Sequence, residues 1–220
     1  MNISPFEPNN IYCGQSEEML AKLPDNCIDL TVTSPPYDNL RTYNGFTLDW
    51  HEIIKQLYRV TAVGGVAVWV VADATIKGSE TGTSFKQALF AMECGFNLHD
   101  TMIYRRQGRF PDVTRYWQNF EYMFVFSNGK PKATNFLQRK NKYAGQKITG
   151  GKRKKDGSLT LHHGAQNGKT RNDYGVRGNI WKYSAGAGHM GDDKLTYTHP
   201  ARFPEALARD HILSWSNPGD

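Results

Sequence analysis

Cysteine is scarce in this chain, and its spacing argues against two common ways of holding a small fold together. The 220 residues include three cysteines, Cys13, Cys27 and Cys94, and no two of them form a CxxC pair. A zinc knot or a disulfide framework needs closely spaced or paired cysteines. The seven histidines show no H-E-x-x-H spacing either. We therefore expect no metal site.

Long apolar segments are also lacking. No hydrophobic run approaches the roughly 20 residues that a membrane-spanning helix requires. The amino terminus lacks the charged, apolar and cleavage regions of a signal peptide. The chain is nevertheless 39% hydrophobic and 12% aromatic, with a mean hydropathy of -0.61. This composition predicts a globular protein with a polar surface, a cytoplasmic location and no membrane contact.

Acidic residues are absent from one long stretch, Tyr122 through Lys155, where basic residues accumulate. The whole chain has a formal charge of +6 and a pI of about 9.2. A basic stretch with interleaved aromatic residues and glycines favours the phosphate backbone of a nucleic acid as the partner. The alternative is a solvated loop that its charge keeps soluble. The basic residues are Lys130, Lys132, Arg139, Lys140, Lys142, Lys147, Lys152, Arg153, Lys154 and Lys155.

Strand and helix patterns alternate through the first half of the chain, which predicts an α/β fold. Residues 28–33 are apolar at every second position and end at a double proline, which cannot continue a sheet ladder. A helical pattern over 50–58 is followed by Gly64-Gly65, which we interpret as a C-cap stop, and 66–71 is typical of a parallel strand buried on both faces. Next come a helix over 84–94, with Phe85, Leu89 and Met92 on one face, and strands over 96–104 and 120–126.

The segment Ser34-Pro35-Pro36-Tyr37 follows the first strand directly. Ligands of an open parallel sheet collect at the carboxyl ends of its strands. The two prolines remove two N–H donors, which leaves rigid carbonyls that only accept hydrogen bonds. Ser34 and the Pro35 carbonyl could hold the hydrogens of an exocyclic amine while Tyr37 stacks on the base, once that base is flipped out or single-stranded. A double proline without these neighbours would indicate only a strand terminator.

The stretch from Ile28 to Tyr37 resembles motif IV of the DNA amino-methyltransferases, which transfer a methyl group from S-adenosylmethionine to cytosine N4 or adenine N6. Serine in the first position resembles the N4-cytosine branch, since aspartate is usual in the N6-adenine branch. Residues 38–43 and 120–127 are similar to further segments of the family. The resemblance implies a Rossmann-like methyltransferase fold in which Ser34, Pro35, Pro36 and Tyr37 are catalytic.

The segment from His199 to Pro204, which precedes a helical pattern, resembles motif X. That resemblance implies a cofactor site made of Ser34, His199, Pro200, Phe203 and Pro204. Motif IV early and motif X late resemble the circularly permuted β order, in which motif I follows motif X. No motif I loop follows Asp220, so we expect a fold truncated before the motif I strand or a second polypeptide that supplies it. Residues 186–191 match G-x-G-x-x-G, but they follow no apolar strand and favour a plain loop.

The resemblance divides the chain into three parts. Residues 1–128 are the catalytic α/β part with motif IV. In 129–178 the periodicity is lost and glycine and lysine dominate, which predicts a basic target-recognition lobe or loop. Residues 179–220 return to the catalytic domain with motif X, and they include a helix over 203–215 with Phe203, Leu207, Ile212 and Leu213 on one face.

Candidate DNA contacts are basic or aromatic residues near the motif and in the predicted lobe. Surface charge without a binding role is the alternative for them, and Asp73 at the end of the 66–71 strand is either a site residue or a cap. The favoured function is a DNA N4-cytosine methyltransferase; the alternatives are an N6-adenine enzyme and a catalytically silent DNA-binding remnant. The candidate contacts are Arg41, Tyr43, Arg105, Arg106, Arg109, Lys140, Lys142, Lys152, Arg153, Lys154 and Lys155.

Overall fold

The computed structural model describes residues 5–37, 48–106, 113–184 and 204–220. The chain divides into two compact units, a larger unit of Met1–Asn135 with Asn179–Asp220 and a smaller unit of Phe136–Gly178. Residues 129–135, which the sequence analysis assigned to the basic lobe, belong to the larger unit. Among the described residues, no helix has the length and apolar character needed to cross a membrane.

Helices and strands alternate through the larger unit, and short strands make up most of the smaller one. In chain order the elements are α1 (Ser16–Ala21), β1 (Ile28–Thr33), α2 (Trp50–Val60), β2 (Thr61–Val71), β3 (Thr75–Ile76), β4 (Ser79–Glu80), α3 (Thr83–Glu93), β5 (Asn97–Arg106), β6 (Phe120–Ser127), β7 (Gln138–Lys140), β8 (Gly151–Arg153), β9 (Leu159–Leu161), α4 (His163–Gln166), β10 (Tyr174–Val176), β11 (Ile180–Tyr183) and α5 (Glu205–Trp215).

A five-stranded mixed sheet forms the centre of the larger unit, with strand order β1-β2-β6-β5-β11. β1 is parallel to β2 and β11 is parallel to β5, whereas β6 lies between β2 and β5 and is antiparallel to both. The predicted α/β class is confirmed. The antiparallel β6 brings its first residues to the sheet edge where the other four strands end.

The helix before β2 is longer than its sequence pattern suggested. Asp49 begins α2 by accepting hydrogen bonds from the backbone N–H groups of His51 (3.0 Å) and Glu52 (3.3 Å). The helix continues to Val60, and Thr61 already belongs to β2. The predicted C-cap at Gly64-Gly65 is therefore wrong, because both glycines lie inside the strand.

Close packing explains why glycine is needed at this place in β2. Gly64 has a φ of 79°, which is a left-handed conformation that favours glycine. A Cβ atom at Gly65 would lie 3.0 Å from the backbone oxygen of Asp29 in β1. Beyond the glycines, residues 66–71 are at most 2% exposed, so the predicted buried strand is confirmed.

Two helices bury faces that differ from the predicted ones. In α3, Phe85, Leu89 and Met92 are 50%, 59% and 46% exposed, while the buried residues are Ser84, Gln87, Ala88 and Ala91. The small side chains let α3 approach the sheet closely, and Gln87 accepts a 2.9 Å hydrogen bond from the indole of Trp69. The polar residue is therefore inside and the large apolar ones outside.

The face of α5 is also rotated relative to the prediction. Ile212 and Leu213 are 49% and 53% exposed, whereas Leu207 is fully buried. The inner stripe continues through His211 and Trp215, and the Trp215 indole donates to His211 Nδ1 over 3.2 Å. This contact gives both rings a polar partner inside the core. The buried face of α5 can therefore include polar side chains.

The smaller unit is built from two antiparallel strand pairs. β7 pairs with β10, and β8 pairs with β9 across a turn. Ile148 packs against Gly164 of the short helix α4, where an added Cβ atom would lie 2.7 Å from the isoleucine Cδ1. The stretch without periodicity in the sequence therefore has regular structure of its own.

The rotated face of α5 can be tested with two leucines of the same helix. Leu207→Ala removes a fully buried side chain and should lower the free energy of unfolding by about 2–5 kcal/mol. Leu213→Ala removes an exposed one and should change it by less than about 1 kcal/mol. Urea denaturation followed by circular dichroism measures both. Equal losses would show that the helix is oriented differently.

Candidate active site

The Ser34-Pro35-Pro36-Tyr37 segment lies at the edge of the sheet where four strands end and β6 begins. β1 ends at Thr33 and pairs in parallel with β2, which ends at Val71. Val71 pairs with Tyr122 and Arg105 with Phe120, so the start of β6 lies at the same edge. We call this edge the rim. The register brings the motif, Asp73, Arg106 and Glu121 to the rim.

A chain of hydrogen bonds joins the motif to β6. Ser34 Oγ lies 2.9 Å from the Tyr37 phenol oxygen, and the Tyr37 hydroxyl donates to Glu121 Oε2 over 2.7 Å. Tyr37 is half-buried and packs against the main hydrophobic cluster, and Pro35 is buried. Ser34 and Tyr37, the first and last residues of the motif, are thereby bonded to each other, and Tyr37 connects them to the Glu121 carboxylate of β6.

Arg106 continues this chain from the end of β5. Its Nη1 atom lies 3.2 Å from Glu121 Oε1, and its backbone N–H donates to the Asn119 carbonyl over 2.8 Å. The side chains of Arg106 and Glu121 are 24% and 10% exposed. Arg106 was predicted to contact DNA, and in this structure its guanidinium forms an ion pair inside the protein.

Two tyrosines near Glu121 in the sheet, Tyr104 and Tyr122, have raised pKa values. Tyr104 pairs directly with Glu121 in the sheet. Burial, with a smaller contribution from the Glu121 charge, raises the pKa of Tyr104 to about 12. Burial likewise raises the pKa of Tyr122, with smaller contributions from the Asp73 and Glu80 charges. Both phenols stay protonated at neutral pH.

Asp73 is buried at the rim, where its side chain bonds to the first turn of α3. Its carboxylate accepts from the Ser84 backbone N–H over 2.9 Å and from the Ser84 hydroxyl over 2.6 Å. The Thr81 hydroxyl adds a longer contact of 3.4 Å. Of the two roles left open by the sequence, these contacts are those of a helix cap.

The other predicted site residues of the larger unit divide into two groups. Arg105 is exposed in β5, and Pro204 is buried at the start of α5. The remaining predicted residues of this unit lie outside the described part of the chain, as does the glycine-rich stretch at 186–191. The undescribed site residues are Arg41, Tyr43, Arg109, His199, Pro200 and Phe203.

The smaller unit contains the rest of the predicted DNA contacts. It has eleven Lys and Arg residues and two Asp residues, a formal charge of +9, whereas the whole chain has +6. The larger unit therefore has a formal charge of -3. Lys140, Lys142 and residues 152–155 are all exposed, and Arg153 donates to the Gly157 carbonyl over 2.9 Å within the β8–β9 turn.

Glu121 has a place at the rim that the sequence analysis did not assign. The signal was present in Phe120-Glu121-Tyr122-Met123, where one acidic residue opens a strand of otherwise apolar and aromatic side chains. A buried carboxylate at a strand end needs a charged or hydrogen-bonding partner. Its partners, Arg106 and Tyr37, become neighbours only through the sheet register. Within the described ranges, no group of three His, Cys, Asp or Glu side chains could hold a metal ion.

Comparison with known proteins identifies the family. Residues 28–220 match the family model of the N6/N4 methyltransferases, described as DNA methylase, and the chain belongs to this family. It is 57% identical over 206 residues to the orphan methyltransferase M.BamHII of Bacillus amyloliquefaciens, covering 92% of this chain and 77% of that protein. The predicted family is thus confirmed.

Solved structures confirm the fold. The PvuII DNA methyltransferase, described as cytosine-N4-specific, matches with a TM-score of 0.62 and 20% identity over 95% of this chain and 71% of that chain. The complex of M1.HpyAVI with S-adenosylmethionine matches with a TM-score of 0.54 and 20% identity over 95% and 78% of the two chains. The Rossmann-like methyltransferase fold is confirmed, while the permuted order and the truncation stay predictions.

The capping role of Asp73 can be measured through stability. Asp73→Ala leaves the Ser84 N–H and hydroxyl without their acceptor and should lower the free energy of unfolding by about 1–2 kcal/mol. Glu80→Ala, which removes an exposed carboxylate from the neighbouring β4, should change it by less than about 0.5 kcal/mol. Thermal denaturation of both variants is the measurement. Equal stability of the two variants would contradict a cap at Asp73.

Proposed function

We propose that this protein is a DNA methyltransferase that transfers a methyl group from S-adenosylmethionine to the exocyclic N4 of cytosine. The observation that carries the proposal is the position of Ser34 beside acceptor-only backbone at the rim, with Ser34 Oγ fixed 2.9 Å from the Tyr37 phenol. Membership of the DNA methylase family supports the reaction class.

The residues of the motif suit an amine that is a poor nucleophile. The lone pair of an exocyclic amine is delocalised into the ring of the base. Holding its two hydrogens on the Ser34 hydroxyl oxygen and the Pro35 carbonyl would favour a pyramidal nitrogen, whose lone pair is less conjugated with the ring and can attack the methyl group. Such catalysis depends on positioning rather than on a strong base. A paired base hides this nitrogen, so the target must be flipped out or single-stranded.

S-adenosylmethionine would supply a methyl group on a sulfonium cation. The rim suits a cation of this kind, because the side chains that face one another there include hydroxyl and carboxylate oxygens and tyrosine rings. Ser34 and the buried Pro204 are the described residues that would contact the cofactor, together with His199, Pro200 and Phe203 as predicted from the sequence.

Cytosine is favoured over adenine by the first residue of the motif and by the likeness to the PvuII enzyme, which is described as cytosine-N4-specific. The serine side chain has one oxygen and no charge, so Ser34 presents a single neutral acceptor to the amine. The same arrangement could also act on adenine N6, and that reaction is the second candidate. Product analysis separates the two.

DNA would bind chiefly through the smaller unit. Its formal charge of +9 contrasts with -3 for the rest of the chain. All of its Lys and Arg residues except Arg177 are exposed. Exposed cations that neutralise phosphates release counterions, which gives affinity that depends on salt.

Incubating the protein with unmethylated DNA and S-adenosylmethionine, digesting the DNA to nucleosides and weighing them by mass spectrometry tests the proposed reaction. We expect N4-methyldeoxycytidine. Ser34→Ala should reduce its formation about 100-fold, because one fixed acceptor is lost. Ser79→Ala, a substitution at an exposed serine of β4, should leave it unchanged.

Two other outcomes would contradict parts of the proposal. N6-methyldeoxyadenosine alone would move the protein to the adenine branch with the same site. No methylated nucleoside, from a protein that still binds DNA, would favour the catalytically silent DNA-binding module.

The role of the smaller unit is tested by salt dependence. Replacing Lys152, Lys154 and Lys155 with glutamine should weaken DNA binding for all sequences and reduce the slope of log K against log salt by up to about 3, since each phosphate contact contributes roughly 0.9. Fluorescence anisotropy at several salt concentrations gives the slope. The control replaces Lys22, Lys55 and Lys86, which are exposed lysines of the larger unit. An equal slope in both triple variants would show that residues 152–155 do not contact the DNA phosphates.

A further inference from the structure

The hydrogen-bond chain at the rim has a direction, and this direction determines what Ser34 offers to a substrate. Tyr37 has a single hydroxyl hydrogen, which it donates to Glu121 Oε2 over 2.7 Å. The hydrogen between Ser34 Oγ and the Tyr37 oxygen, 2.9 Å apart, must therefore come from Ser34. Ser34 Oγ has no other hydrogen, so only its lone pairs face any further partner.

We propose that Glu121 is a positioning residue that holds the Ser34 hydroxyl as a hydrogen-bond acceptor for the amino group of the target base. This inference rests on the proposed function and adds to it a residue from another strand. A freely rotating serine could instead donate its hydrogen to the amine nitrogen. That bond would occupy the lone pair that has to attack the methyl group, so the direction of the chain matters for the reaction.

The carboxylate can impose this direction because each of its two oxygens faces a donor. Arg106 Nη1 lies 3.2 Å from Oε1, which leaves Oε2 towards Tyr37. A guanidinium has only donors and a carboxylate only acceptors, so neither residue can reverse its role. Glu121 is 8% exposed, which limits competition from water.

The substitution Glu121→Gln should reverse the direction of these hydrogen bonds. The amide oxygen of Glu121→Gln would remain towards Arg106, because the guanidinium donates only, and the amide NH₂ would then face Tyr37. Tyr37 would accept from the amide and donate to Ser34. The Ser34 hydrogen would turn outward towards the base, where an acceptor is required.

Steady-state kinetics on the wild type, Glu121→Gln, Tyr37→Phe and the double variant test this inference. Glu121→Gln should lower kcat roughly 10- to 100-fold with little change in KM for DNA, since the effect is on the reacting group rather than on binding. Tyr37→Phe should lower kcat less, because it frees Ser34 without reversing it. The double variant should have the same kcat as Tyr37→Phe alone. Adding Tyr37→Phe to Glu121→Gln should therefore raise kcat.

A matched control separates positioning from the loss of an ion pair. Asp29→Asn breaks the 2.6 Å ion pair with Lys132 in the same unit, and the Asp29 side chain is 12% exposed, close to the value for Glu121. It should leave kcat unchanged. A kcat for Glu121→Gln equal to that of Asp29→Asn, or a double variant slower than either single variant, would overturn the inference.

A second measurement does not depend on turnover, so it distinguishes a failure of this inference from a failure of the proposed function. The Tyr37 hydroxyl proton, identified in NMR spectra by its loss in Tyr37→Phe, should resonate downfield in the wild type and in Asp29→Asn. It should move upfield in Glu121→Gln, where the carboxylate acceptor is gone. An unchanged resonance in Glu121→Gln would overturn the inference even if the wild type methylates DNA. The same experiment decides the question for a protein that does not methylate.

Discussion

The arrangement of side chains at the rim depends on one buried carboxylate, whose two oxygens are each paired with a donor. Arg106 binds one oxygen of Glu121, and the Tyr37 hydroxyl donates to the other. Burying a carboxylate costs free energy unless its oxygens are paired with donors. The side chains around Glu121 therefore have little conformational freedom. The orientation of Tyr37 follows from this pairing, and the orientation of Ser34 follows from Tyr37. The proposed catalytic site thus takes its geometry from a residue that need not touch the substrate.

The sheet topology makes this arrangement possible. Tyr37 and Glu121 are 84 residues apart in the chain, and they meet because β6 is antiparallel to both of its neighbours. An antiparallel strand begins at the edge where the adjacent strands end. The motif at the end of β1, the cap at the end of β2 and the ion pair at the end of β5 therefore gather around the first residues of β6. A fully parallel sheet would have placed Glu121 at the opposite edge.

Patterns local in the chain were predictable, and contacts set by register were not. The buried strand at 66–71 and the motif at the end of β1 followed from periodicity and from the chemistry of proline. The inner faces of α3 and α5 were not predictable from apolar spacing, because Gln87 and His211 are buried through hydrogen bonds to tryptophan indoles. Gly64 and Gly65 looked like a helix stop, although a left-handed φ at Gly64 and the close approach of β1 to Gly65 are what require glycine there. Glu121 had no visible partner until the strands were aligned.

The formal charges of +9 and -3 on the two units fit the proposed roles, in which the basic smaller unit contacts phosphates and the rim positions the base. The position of the target base is tested most directly by a crystal structure of the protein with DNA and S-adenosylhomocysteine. We expect a cytosine with its N4 within about 3.2 Å of Ser34 Oγ, and Tyr37 still bonded to Glu121. A rim closed by neighbouring side chains, or a base whose amine lies away from Ser34, would contradict it.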